Sequence, residues 1–119
     1  MTALQATLRD RDGIAVIDLR GDIDRAADEQ LATAYERARR DGAQTVALNF
    51  EQTDYINSSG IAVIVALLAR TRGDGVALCA FGLSEHYREI FEITRLADYI
   101  TIAGSEDLAV GQTERSGNG

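Results

Sequence analysis

The chain has 119 residues, 45% of them hydrophobic and 26% charged, which suits one globular domain able to fold without a metal or disulfide staple. Nineteen Asp and Glu against 12 Lys and Arg give a formal net charge of −7. That sign repels nucleic-acid phosphates and anionic membranes, and it leaves a basic protein surface as the compatible charged partner.

Met1-Thr2-Ala3-Leu4-Gln5 has no basic segment followed by an apolar core, so no signal peptide is expected. Leu4 to Leu8 and Ile14 to Arg20 read as two strands, joined at Asp12-Gly13, a favoured hairpin turn. Gly21 is expected to end the second strand. Asp24 then caps a helix with an apolar stripe at Ala27, Leu31, Ala34 and Ala38, and Gly42 stops it. Thr45 to Phe50 is the next strand, with Val46, Leu48 and Phe50 on one face.

Ser58 or Ser59 is expected to cap a second helix reaching about Arg72. Its run Ile61 to Ala69 is far too short to span a bilayer and reads as a core helix, so no membrane insertion is expected. Val76 to Phe81 is a strand buried on both faces, with the single cysteine, Cys79, inside it. A buried thiol in a reducing cytoplasm is the expectation. Ser84 caps a third helix with a stripe at Tyr87, Ile90, Phe91 and Thr94. Tyr99 to Ile102 is a short last strand, and Ser105 caps a final helix to Gly111. One domain over residues 1–112 is expected, with a disordered polar tail at 113–119. Alternating strands and helices predict an α/β layer opening on an antiparallel hairpin.

Catalytic patterns are missing from the sequence. One histidine, His86, and one cysteine offer no zinc spacing, and neither a nucleophile elbow nor a phosphate-cradling Gly motif is present. Neither an enzyme nor a cofactor is expected. The segment Asp54-Tyr55-Ile56-Asn57-Ser58-Ser59-Gly60-Ile61 stands out because it follows the central strand and opens the most apolar helix. Ligands and partners of open α/β sheets meet the loops beyond the carboxyl ends of strands. A phosphate on Ser58 would find helix N-terminal donors there, among Asp22, Asp24, Glu51 and Asp54 on the same face. Capping alone also accounts for Asn-Ser-Ser-Gly at a helix start.

Four segments resemble the STAS domain family, in the form of the stand-alone bacterial anti-sigma-factor antagonists. They are Gly21-Asp22-Ile23-Asp24, Val46 to Phe50, Ile56 to Ile64 and Ile90 to Leu96, in family order over residues 14 to 104. The resemblance implies a STAS-like fold with a mixed four- to five-stranded sheet and about four helices. It implies partner switching: the unphosphorylated protein binds an anti-sigma factor that is also a serine kinase. Phosphorylation of the first signature serine, Ser58 by position, releases it, and a serine phosphatase reverses the step. Ser59 is the second-choice acceptor. The implied contact set is Asp22, Asp24, Asn57, Ser58, Ser59, Gly60 and Ile61. A cytoplasmic monomer or weak dimer is expected, since an edge strand could pair with another copy. Two positions depart from the signature: Asn57 replaces its Asp and Ala62 its second Gly. A constitutive STAS scaffold in a signalling or transport assembly is the alternative, and a small-ligand sensor or Ser58 hydrolase the third.

Overall fold

A computed structural model describes residues 2–117, with side chains for residues 2–111. The hairpin comes first. Strands β1 (Gln5–Arg11) and β2 (Ile14–Ile23) pair antiparallel around Asp12-Gly13. Both turn residues have positive φ, 53° and 88°, the type I′ geometry whose twist matches the strands. Then follow α1 (Ala27–Arg40), β3 (Thr45–Ile56), α2 (Ser58–Asp74), β4 (Ala77–Phe81) and α3 (Glu85–Ile93). A 3-10 turn (Leu96–Asp98), β5 (Thr101–Ala103) and α4 (Glu106–Gly117) complete the chain.

The sheet order is β1-β2-β3-β4-β5, with every pair after the hairpin parallel. Right-handed crossovers that always step the same way put α1, α2 and α3 on one face. Leu31, Tyr35, Leu48, Ile64 and Phe91 fill the main core there. Alternate residues of the same strands, Val16, Ala47, Cys79 and Phe81, face a smaller core closed by Ala109 and Val110 of α4. Cys79 is buried, its thiol directed at the Val46 carbonyl at 3.7 Å.

Four expectations are corrected. Gly21 does not end β2; the strand passes through it at φ 108°, and its register against β3 shifts on either side. Ala3 O would lie 2.7 Å from a Cβ at that position, so the chain needs glycine to let the N-terminal segment close over the bulge. β3 runs on to Ile56, so Glu51 to Ile56 is strand, not loop. This stretch hides from periodicity because it is exposed apart from Thr53 and Ile56, and pairing with Arg20–Ile23 holds it. Asp24 does not cap α1 directly. Its Oδ1 accepts the Ala26 N–H at 2.9 Å, forming an Asx turn just before the helix. Finally, α4 runs to Gly117 instead of ending at Gly111, and residues 118 and 119 of the expected tail lie outside the described ones.

Charge ties α4 to the hairpin. Arg9 forms a fork on Asp18, with Nε to Oδ2 at 2.7 Å, and a second fork on Glu106; Arg11 reaches Glu106 at 2.5 Å and also Asp107. Asn49 donates to Asp18 Oδ1 at 2.7 Å and accepts from the Glu51 N–H at 2.9 Å, carrying the network to β3. Bonds from Arg9, then Arg11, hold the Glu106 carboxyl down to about 2. Burial works against ionisation of Asp18, but Arg9 and Asn49 outweigh it and leave its pKa below the usual value.

A folded pKa below the unfolded value near 4.5 means that this contribution is complete above pH 4.5 and fades as pH falls toward 2. Glu106→Gln is therefore expected to cost about 1–2 kcal/mol at pH 7, after allowance for partial exposure, and almost nothing at pH 2. Thermal melts of both proteins across that range check this; a constant gap would refute it.

Candidate functional site

The carboxyl ends of β2 and β3 lie side by side, with Asp22 opposite Tyr55 and Ile23 opposite Ile56. The Asn57 N–H donates to Ile23 O at 3.3 Å, which fixes residue 57 in an extended conformation (φ −92°, ψ −178°) directly before α2. That conformation makes Asn57 the N-cap. Its Oδ1 accepts the Gly60 N–H at 2.8 Å, so the expectation of a Ser58 or Ser59 cap is corrected. The two serines occupy the first two helical positions instead. Ser58 is exposed and Ser59 half-buried, and neither hydroxyl is spent on capping the helix. Helix amides at these positions have no intrahelical acceptor, and α2 has no acidic residue in its first turn to offset its positive dipole end.

Gly60 is buried and lets α2 approach β2 closely: a Cβ there would sit 1.9 Å from Ile23 O. Ile61 is half-buried and packs on the main core. Asp22 and Asp24 stand half-buried at the end of β2; Asp22 Oδ2 accepts the Thr2 N–H at 3.2 Å, and its own N–H donates to Thr2 O. Asp54 is exposed near the end of β3. Glu51 is not in this group. It lies five residues before Ile56, roughly 17 Å along the strand, against Gly82 at the end of β4. Glu51 thus drops out of the expected acidic face. Beside Ser59 a shallow groove lined by Arg25, Asp28, Ala62, Val63 and Ala66 runs between the start of α1 and α2. Ala62, in place of the signature's glycine, is exposed on its floor.

One residue that the sequence placed only in an apolar stripe supports this end of the fold. Tyr87 of α3 accepts the Ile56 N–H on its hydroxyl at 3.0 Å, pinning the last residue of β3. Tyr87→Phe strands that amide and is expected to cost about 1–2 kcal/mol and to speed hydrogen exchange at Ile56. Unchanged exchange at Ile56 would show that the bond carries nothing. His86 is exposed and packs edge-to-face on Tyr87, with ring centroids 5.0 Å apart. Among the described residues no group of three or more His, Cys, Asp or Glu could hold a metal ion, and no helix is long and apolar enough to cross a membrane.

Fold and site together define a small α/β domain whose outward-facing feature is an exposed serine at a helix start, where two parallel strands end. The STAS domain pattern matches residues 5–109, and the chain belongs to that family. BtrV of Bordetella bronchiseptica, whose name assigns it provisionally to the anti-sigma factor antagonists, is 28% identical over 106 residues, 89% of this chain and 91% of that protein. The anti-sigma-B factor antagonist of Staphylococcus aureus is 27% identical over 82 residues, 69% of this chain and 76% of the other. In structure, the Bacillus cell fate determinant SpoIIAA in its phosphorylated form superposes with a TM-score of 0.67 at 24% identity, covering 93% of this chain and 99% of that one.

Proposed function

We propose that this chain is a cytoplasmic anti-sigma factor antagonist that works by partner switching and performs no catalysis itself. Unphosphorylated, it binds an anti-sigma factor that is also a serine kinase, with Asp22, Asp24, Asn57, Ser58 and Ser59 at the contact. Phosphorylation of Ser58 releases the partner, and a serine phosphatase resets the protein. The observation that carries this reading is the exposed Ser58 hydroxyl on the first residue of α2, at a helix end able to accept a dianion. The names of the relatives and the existence of a phosphorylated SpoIIAA support it. Incubation with the anti-sigma factor kinase and ATP, followed by mass mapping, tests it. Phosphate on Ser58 is the expected product, and transfer to neither Ser58 nor Ser59 overturns the switch.

Asn57 favours a second reading, a constitutive STAS scaffold in a larger assembly. It does what the fold needs at this position, capping Gly60 N–H, without the carboxylate of the signature. In that case wild type and Ser58→Asp would bind their partner equally well.

A further inference from the structure

The first strand, β1, is an edge of the sheet, and no described strand pairs with its outer side. The Asp12-Gly13 turn fixes which backbone groups face outward. In a two-residue hairpin the flanking pair, here Arg11 and Ile14, exchanges both hydrogen bonds, and bonded pairs recur at every second residue. Arg9, Thr7 and Gln5 therefore bond to β2, while Ala6, Leu8 and Asp10 turn their N–H and C=O groups to the open side. Charged side chains usually guard such an edge. Here Arg9 and Arg11 are drawn away to Glu106 and Asp107, leaving Gln5 to Leu8 as an uncharged strand segment. Beside it, between β1 and α1, runs a groove of about 380 Å3 lined by Ala6, Leu8, Glu29, Gln30, Thr33 and Arg37.

We propose that a second copy of this chain adds its own β1 antiparallel to this edge, about a twofold axis at Thr7. In this register Ala6 of each copy faces Leu8 of the other, and the outward-facing groups of both residues are the ones that bond. Thr7 meets Thr7, Gln5 meets Arg9, and no like charges are opposed, a set of pairs that favours the ladder. The helices fit the same axis. The α1 helix packs on both β1 and β2 and runs parallel to β1, since it returns antiparallel to β2. With strands about 4.8 Å apart and α1 midway over β1 and β2, the two α1 helices lie about 10 Å apart, the packing distance of a helix pair. They run antiparallel, crossing near Thr33, so Glu29 of one copy meets Arg37 of the other. A twofold interface has to complement itself in this way.

Sedimentation equilibrium of the full chain tests the proposal. Wild type is expected to dimerise and Ala6→Pro to be monomeric, with the two melting curves coinciding at concentrations too low for the dimer, because proline at an outward-facing edge position removes no bond to β2. Arg37→Glu, which opposes two acidic residues, is expected to weaken the dimer at least tenfold, and Glu29→Arg with Arg37→Glu to restore it. A wild type that stays monomeric at high concentration overturns the proposal, as does a dimer indifferent to all three variants. A monomer whose β1 edge instead captures an extended peptide also overturns it, assigning the edge to a partner's strand.

Discussion

Gly60→Ala is expected to destabilise the protein by about 3 kcal/mol or more and to lower the melting temperature by roughly 10 °C or more, although it puts a better helix former into a helix. Alanine for glycine inside an exposed helix normally gains up to about 1 kcal/mol. At position 60 the added Cβ would stand 1.9 Å from Ile23 O and 2.7 Å from Ile23 C. Both atoms are backbone, so no rotamer relieves the clash. Retreat of Ile23 would break its bond to the Asn57 N–H and unseat the N-cap, and retreat of α2 would expose Val63 and Ile64. Gly73 in the same helix is the internal control, since a Cβ there meets nothing within 4 Å. Gly73→Ala is expected to be neutral or stabilising. Equal melting temperatures for the two variants would show that β2 does not press on the helix start.

The contrast between these glycines shows where sequence reading reaches its limit. Local chemistry was readable wherever a residue's partner lies within a few positions: Asp12-Gly13 makes its turn, and Ser84 and Ser105 cap the N–H groups of Tyr87 and Leu108. The segment from Asn57 to Ile61 was readable as a helix start but not in its detail. Asn57, Ser58 and Ser59 can all cap, and the choice falls to Asn57 because Ile23, 34 residues earlier, accepts its amide. The polar half of β3 went unread for the same reason, since pairing with β2 and not burial sets it. Tyr35 of α1 fell outside the stripe of small residues, yet it is fully buried and donates its hydroxyl to Asp74 of α2 at 2.8 Å. Tyr87 likewise read as apolar because its hydroxyl partner belongs to another element. The common cause is contact between segments distant in sequence, which local periodicity does not encode.

Ser58→Asp is expected to weaken binding of the anti-sigma partner by roughly a hundredfold, about 2.7 kcal/mol, while leaving the fold intact or slightly more stable. The two effects have opposite signs for one physical reason. A carboxylate on the first residue of α2 interacts favourably with the helix dipole, a gain of about 0.3–1 kcal/mol, and no acidic residue already occupies that turn. On the outer surface the same charge adds to Asp22 and Asp24 of the proposed contact, where it replaces a neutral hydroxyl. Desolvating an unpaired charge there costs far more than the helix returns. Ser58→Ala removes the acceptor without adding charge and is expected to bind as wild type does. It should also resist release by ATP. A pull-down with the three proteins, each first checked by thermal melting, separates the causes: lost binding with an unchanged or raised melting temperature is an effect at the interface. Equal recovery of the partner by wild type and Ser58→Asp would sink the switch and leave the scaffold reading in its place.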